Sequence, residues 1–326
     1  DTAAPFWKSY NRQSMKNMVK FGLDGLWVDN YSVWDNFSKP SNSYGNWSEY
    51  EFNKYLKNTF SAEELNNMGI SDIEGFNIRE YMKNSGKAAA DSEWLNDRIW
   101  TAYKIFKKNT GSEYLKNIYR SAKEEAQNKA DGFAVMGNDV NLFNHGWVQS
   151  GWLDMCGTET PIYALPMLGN GIGRVDEGGR LGVLYKTYSQ TAKGPYSAPW
   201  VYVREYADKT ELGKVWLAEA FANGSVIKKA DDTAGSPESH LWLNDFISRY
   251  EKDLAPRYEA ADIAVMYSPL TQLADAFPND FLTDGESSNY HYHGVLGFEH
   301  AMIDANVPFK ILPEWKLNKT TAKLYK

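Results

Sequence analysis

The chain has 326 residues, of which 43% are hydrophobic and 15% aromatic, and its formal net charge at pH 7 is −7. This length is enough for one large domain or two ordinary ones, and the hydrophobic content excludes a disordered chain. A nucleic-acid partner needs a basic face, and a membrane-spanning helix needs roughly 20 apolar residues in a row, so the sequence argues against both.

The single cysteine, Cys156, excludes an internal disulfide and a cysteine-based zinc site. One cysteine suits either the cytoplasm or the exterior of a Gram-positive cell. The sequence begins at Asp1, without an initiator methionine, and ends at Lys326 within a segment whose pattern indicates an unfinished α/β unit. We therefore expect a processed or partial bacterial chain that is secreted or held at the cell surface.

The first elements are a helix followed by a strand. Residues 9–19 have a helical apolar pattern, and residues 21–29 form a short apolar run punctuated by glycine. That run is typical of a buried parallel strand. Alternation places Leu26 and Val28 on one face and Asp29 on the other, which would put Asp29 at the mouth of an α/β barrel.

A mostly helical stretch follows this strand. Two capping-box patterns, Ser48 to Glu51 and Ser61 to Glu64, predict helix starts. The pattern then predicts one helix over residues 92–108 and another over 112–129, separated at Thr110-Gly111.

The remaining barrel elements alternate between strands and a helix. Short apolar runs predict strands over 133–136, 152–155, 181–185 and 225–227, and an amphipathic pattern predicts a helix over 211–223. About five strands are recognisable, against the eight of a closed barrel. Because a parallel sheet does not leave a long edge bare, we expect the missing strands to come from another polypeptide piece.

A second unit begins after Pro237. A helix is predicted over 240–254, then a strand over 261–268, a helix near 295–303 and a strand over 309–312. The predicted fold class is α/β: a (β/α)8 barrel over 1–240, of which this chain supplies about five strands, and a partial flavodoxin-like domain over 258–326.

Two acidic residues follow predicted strands at the face where barrel enzymes keep their active sites. Asp29 ends the first strand, and Glu159 follows the third. Cleavage of a glycosidic bond requires two carboxyl groups about 5 to 9 Å apart, which strand ends of one barrel can supply. Asp139 and Asp154 are competitors, and a capping or ion-pairing role remains the ordinary alternative for any of these residues.

Other side chains near the predicted mouth could contact a substrate. The predicted substrate-binding residues are Asn30, Trp34, Asn138, Asp139, His145, Trp147 and Asp154. Tryptophan rings suit stacking against sugars, although core packing is their usual role. There is no His-Glu-x-x-His, no Gly-x-Ser-x-Gly and no complete phosphate loop, so we expect no metal and no cofactor.

The segment Gly22-Leu-Asp-Gly-Leu-Trp-Val-Asp-Asn30 resembles a strand of barrel glycoside hydrolases, including β-galactosidase-like families. Two further segments, Trp152 to Glu159 and Lys214 to Gly224, are similar to a later strand and helix of such barrels. Residues 258–312 resemble the flavodoxin-like trimerisation domain that follows the barrel in β-galactosidase-type enzymes, on the strength of Ala264 to Ser268 and Val307 to Leu312.

The resemblance implies a function. β-Galactosidase families carry an Asn-Glu pair where this chain has Asp29-Asn30, and other barrel glycosidases use an aspartate nucleophile there with an acid two strands later. By that resemblance Asp29 is the nucleophile and Glu159 the general acid/base of a retaining glycosidase acting on an oligo- or polysaccharide. A non-catalytic glycan-binding barrel is the alternative, and a structural scaffold a third. The resemblance also allows a homo-oligomer.

Overall fold

We analysed a computed structural model of the chain. It describes residues 3–28, 45–87, 92–128, 132–138, 151–157, 159–161, 186, 190, 200–202, 214, 218, 221–223, 237–254, 261–274 and 290–325. The helices are α1 (Pro5–Lys20), α2 (Asn46–Thr59), α3 (Ala62–Asn67), α4 (Ile78–Asn84), α5 (Arg98–Glu125), α6 (Pro237–Leu254), α7 (Pro269–Ala274) and α8 (Tyr290–Asp304). The strands are β1 (Gly25–Val28), β2 (Ala134–Asn138), β3 (Met155–Gly157), β4 (Glu159–Pro161), β5 (Trp200–Tyr202), β6 (Ile263–Tyr267) and β7 (Phe309–Pro313).

Helix α1 confirms the first predicted helix and extends it. It begins at Pro5, whose fixed backbone angle favours the first turn of a helix. Met15 and Val19, one helical turn apart, are buried on the side that packs against α5.

Of the two predicted capping boxes, the one at Ser61 is present and the one at Ser48 is not. Ser61 and Glu64 form the predicted capping box, with the Glu64 amide donating to the Ser61 hydroxyl at 3.2 Å and the Ser61 amide donating to the Glu64 carboxylate at 2.9 Å. The prediction at Ser48 is wrong. Helix α2 begins at Asn46, and Ser48 lies buried within its first turn.

The predicted break at Thr110-Gly111 is also wrong, because α5 runs without interruption for 28 residues. A glycine inside a helix costs about 1 kcal/mol, but burial of an apolar face along the whole helix outweighs that cost. The Thr110 hydroxyl donates to the Phe106 carbonyl at 2.9 Å and so remains satisfied within the helix.

Many of the aromatic side chains are buried in the core around α5. Phe52 is fully buried, with its ring centroid 5.0 Å from that of Tyr103 and 5.3 Å from that of Phe106. Trp94 and Trp100 are also buried and lie edge-on to each other at 6.1 Å. The high aromatic content is therefore explained in part by this core and is weak evidence for a sugar-binding cleft.

Strands β1, β2 and β3 form a parallel sheet in chain order. β2 lies close to its predicted position, while β3 begins at Met155 rather than at Trp152. Leu26, Val28 and Val135 are buried, and Cys156 is fully buried on the same face. This confirms the predicted alternation in β1.

Strands β4 and β5 form a second parallel pair. One residue separates β3 from β4 in the sequence, so the two sheets adjoin along the chain. The described strands therefore make small parallel sheets in chain order within a mixed helix and sheet fold, and they do not by themselves close a barrel. The strands predicted over 181–185 and 225–227 lie outside the described residues.

Strands β6 and β7 pair in parallel and, with α8, enclose a second hydrophobic core. Its buried residues are Val265, Tyr267, Val295, Phe309 and Ile311. This unit meets the first through α7, because the buried Lys104 ammonium of α5 donates to the Ala274 carbonyl at 2.8 Å. Helix α6 confirms the helix predicted over 240–254 and begins three residues earlier, at Pro237. No described helix is long and apolar enough to cross a membrane.

Candidate active-site edge of the parallel sheet

The carboxyl ends of the first three strands meet at one edge. Val28 is level with Gly137, and Asn138 is level with Gly157. Neighbouring strands lie about 4.8 Å apart, so the ends of β1 and β3 are separated by about 10 Å. Chain segments that leave β1 and β3 therefore start within reach of each other, on either side of the end of β2.

Two of the predicted site residues have a described backbone near this edge. Asn138 is the last residue of β2, and Glu159 is the first residue of β4. Six further candidates lie outside the described residues: Asp29, Asn30, Trp34, Asp139, His145 and Trp147. Their predicted roles stay predictions.

One face of the sheet is incompletely covered. Trp27, Met136 and Met155 point away from the buried face and are each half-buried. In a closed barrel this face would be the interior. Trp27 precedes Val28 at the carboxyl end of β1, so alternation predicts that Asp29 shares its face.

Asp154 lies at the opposite edge. It directly precedes β3, so it is at the amino end of a parallel strand, away from the edge where we predicted a substrate contact. Its carboxylate accepts from the Val135 amide at 2.8 Å and pairs with the Lys123 ammonium at 2.7 Å. The Tyr119 hydroxyl donates to its other oxygen at 3.2 Å. Asp154 thus joins α5 to β2 and β3, and we assign it a structural role.

The charge of Asp154 affects the groups around it. Burial, the Asp154 charge and the hydrogen bond to it together raise the pKa of Tyr119 to about 12. The Trp152 ring lies near two cations of α5, 5.8 Å from the Lys116 ammonium and 5.4 Å from the Arg120 guanidinium. Trp152 therefore lies at this opposite end of the sheet, where its ring packs against cations of α5.

Sequence reasoning missed a buried polar cluster at the start of α5. The Asp97 carboxylate caps α5 by accepting from the Trp100 amide at 2.9 Å. It also accepts from the Tyr81 hydroxyl at 2.6 Å and from the Lys87 ammonium at 2.7 Å. Burial raises the pKa of Asp97, but these hydrogen bonds and the Lys87 charge outweigh burial and hold the pKa below its usual value. The signal available in the sequence was Asp97 itself, because aspartate is one of the residues preferred at the N-cap of a helix.

Sequence reasoning also missed a concavity of about 370 Å³ between α2 and residues 73–77. Within the described part of the chain, no group of three His, Cys, Asp or Glu side chains is arranged to hold a metal ion.

Comparison with known proteins gives a likeness in fold. No protein-family model and no curated protein sequence matches the chain. The β-galactosidase of the psychrophilic Marinomonas ef1 matches with a TM-score of 0.65 at 13% identity, over 96% of this chain and 53% of that one. The cold-adapted β-galactosidase of Rahnella sp. R3 matches with a TM-score of 0.61 at 14% identity, over 96% and 49%.

A third match is the β-galactosidase of Bacillus circulans sp. alkalophilus, with a TM-score of 0.60 at 13% identity, over 100% of this chain and 50% of that one. The chain thus has a fold like that of these glycoside hydrolases, and it spans about half the length of each. At such identities the likeness establishes the fold and leaves the activity to be argued from the site.

Proposed function

We propose that the chain is the catalytic part of a retaining glycoside hydrolase, with Asp29 as nucleophile and Glu159 as general acid/base. The observation that carries the proposal is the parallel register, in which the strands preceding these two residues end at one edge. The fold likeness to β-galactosidases adds support, since that edge is where barrel enzymes place their chemistry.

The strand geometry is compatible with the required carboxyl separation. The ends of β1 and β3 are about 10 Å apart, and the length of two acidic side chains is enough to span the difference from the carboxyl separation of about 5–5.5 Å in retaining enzymes. Asn138 lies between the two strand ends, where its residue type suits a hydrogen bond to a sugar hydroxyl.

The proposed reaction has two steps. In the first, the Asp29 carboxylate attacks the anomeric carbon while the protonated Glu159 carboxyl gives its proton to the departing glycosidic oxygen. A covalent glycosyl-enzyme and a free alcohol result. In the second, Glu159 takes a proton from water, the water oxygen attacks the anomeric carbon, and Asp29 leaves with the configuration retained.

The side chains around this pair would position the sugar. Asn30 and Asp139 are suited to bonding hydroxyl groups, Trp34 and Trp147 to stacking on a pyranose face, and His145 to a polar contact. We place the substrate among oligo- and polysaccharides that a bacterium degrades outside its cells.

We also propose that the sheet belongs to a (β/α)8 barrel completed by further β/α units of the same assembly. Three observations support this. The inward face of the sheet is incompletely covered. The matching β-galactosidases are about twice as long as this chain. Finally, α1 and the turn after it expose Phe6, Tyr10 and Phe21, which a neighbouring helix would cover. The unit around β6 and β7 would be the trimerisation-type domain.

The test is turnover of aryl glycosides by the protein in its full natural length. Asp29→Asn and Glu159→Gln should each lower kcat by about 10²-fold or more, as expected for loss of a nucleophile or an acid/base group. Asp24→Asn, at the start of β1, is the control and should retain turnover. Wild-type protein that turns over no glycoside but binds glycans in a way that Asp29→Asn weakens would instead show a glycan-binding barrel.

A further inference from the structure

The polar face of α2 is closed by a second chain segment. Asn46, Tyr50, Asn53 and Lys57 follow each other at helical spacing on the side opposite the buried Phe52. A polar helix face is normally exposed to solvent. Here residues 73–77 lie beside this face and leave a concavity of about 370 Å³ between them and α2. This volume is within the range of about 300–1,000 Å³ that is typical of small-ligand sites.

The two walls of this concavity are fixed to each other. The Asn53 side-chain amide donates to the Phe76 carbonyl at 2.7 Å, and the Lys57 ammonium pairs with the Glu74 carboxylate at 2.7 Å. The wall formed by 73–77 is itself held by Asp72, whose carboxylate accepts from the Glu74 and Gly75 amides at 3.1 Å each. The concavity is therefore formed before any ligand arrives.

The lining has the chemistry of a neutral polyhydroxylated ligand. The Tyr50 ring is 57% exposed, and the Trp47 ring, 43% exposed, meets it edge-on at 6.1 Å. Of these two rings, Tyr50 lines the concavity, and the pair leaves an apolar surface beside it. The lining carboxylates, Glu49 and Glu74, are balanced by the lining ammonium groups of Lys54 and Lys57. The lining therefore has no net charge that would attract a strongly charged ligand.

Hydrogen-bonding capacity remains on the same face. Among the described residues, the Asn46 side chain makes no hydrogen bond, and neither does the side-chain oxygen (Oδ1) of Asn53. An amide offers both donors and acceptors, as sugar hydroxyl groups require. The exposed ring offers an apolar face against which the C–H face of a pyranose can lie.

We propose that this concavity, which contains none of the candidate catalytic residues, is a separate binding site for a neutral oligosaccharide. It would hold a glycan chain on the enzyme without cleaving it. The choice of a carbohydrate rests on the pocket lining and agrees with the proposed function, but the binding itself does not require the Asp29–Glu159 pair.

Native affinity electrophoresis tests the site in gels that contain soluble galactan, soluble xylan or mixed-linkage glucan, with a gel without polysaccharide as reference. Wild-type protein should be retarded by at least one of these. Tyr50→Ala should weaken the apparent affinity about tenfold. Tyr250→Ala removes a ring that is 46% exposed on α6 and does not line this concavity, and it is the matched control, which should be retarded like wild type.

Two further variants separate this site from the catalytic edge. Asn46→Ala, whose side chain holds no wall in place, should also reduce retardation, and its circular dichroism should match that of wild type. Asp29→Asn should be retarded as wild type is, even though its kcat is lowered. Unretarded wild-type protein in every gel, equal retardation of Tyr50→Ala, or loss of retardation in Asp29→Asn would each overturn the proposal.

Discussion

Replacing Asp154 by alanine tests whether this carboxylate is a structural link or a substrate contact. The change removes the acceptor of the Val135 amide and the partner of the Lys123 ammonium. A charge-assisted hydrogen bond contributes about 1.5–3 kcal/mol. The ion pair adds at most about 1 kcal/mol, because the Asp154 and Lys123 side chains are 23% and 33% exposed and water screens their charges. We expect a loss of about 3 kcal/mol.

Urea unfolding followed by tryptophan fluorescence measures this loss. Asp154→Asn is the matched variant, since its carbonyl oxygen can still accept from the Val135 amide, and it should lose only about 1 kcal/mol. Turnover by folded Asp154→Ala should stay close to wild type. A variant as stable as wild type but defective in turnover would refute the structural role and return Asp154 to the substrate site.

Two other predictions concern the region between β1 and β2. Because hydrogen bonds and the Lys87 charge lower the pKa of Asp97, its contribution to stability is present above the unfolded-state value of about 3.9 and is lost as pH falls through the lower folded-state pKa. Urea midpoints measured from pH 5 downward should therefore fall less steeply for Asp97→Asn than for wild type. Gly75→Ala would bring a new Cβ to 2.5 Å from the Asp72 carboxylate, so that carboxylate must move away from the Glu74 and Gly75 amides that it accepts from, and the melting temperature should fall with a loss of about 0.5–1.5 kcal/mol. An unchanged melting temperature would show that the 73–77 wall is not rigid.

Local patterns in the sequence predicted local structure well. The alternation of Leu26 and Val28 and the capping box at Ser61 depend on neighbouring residues only, and both are confirmed. The break predicted at Thr110-Gly111 is wrong because helix packing, which depends on distant residues, overrides glycine propensity.

The site was harder to predict because it depends on where strands begin and end. We predicted a strand over 152–155, whereas β3 begins at Met155. That shift moves Asp154 from the predicted mouth to the amino edge, where it binds the Val135 amide. The cluster around Asp97 and the concavity beside α2 bring together residues 10 to 23 positions apart in sequence. The capping role of Asp97 had a local signal, but hydrophobic periodicity does not reveal these longer contacts.

Trapping of the covalent intermediate tests the central claim most directly. The protein in its full natural length would be incubated with 2-deoxy-2-fluoro glycosides that carry a good leaving group, then digested and analysed by mass spectrometry. We expect the fluorosugar on the peptide that contains Asp29, and no label on Asp29→Asn. Stable label on a different carboxylate, or undiminished turnover by Asp29→Asn, would contradict the assignment of Asp29 as the nucleophile.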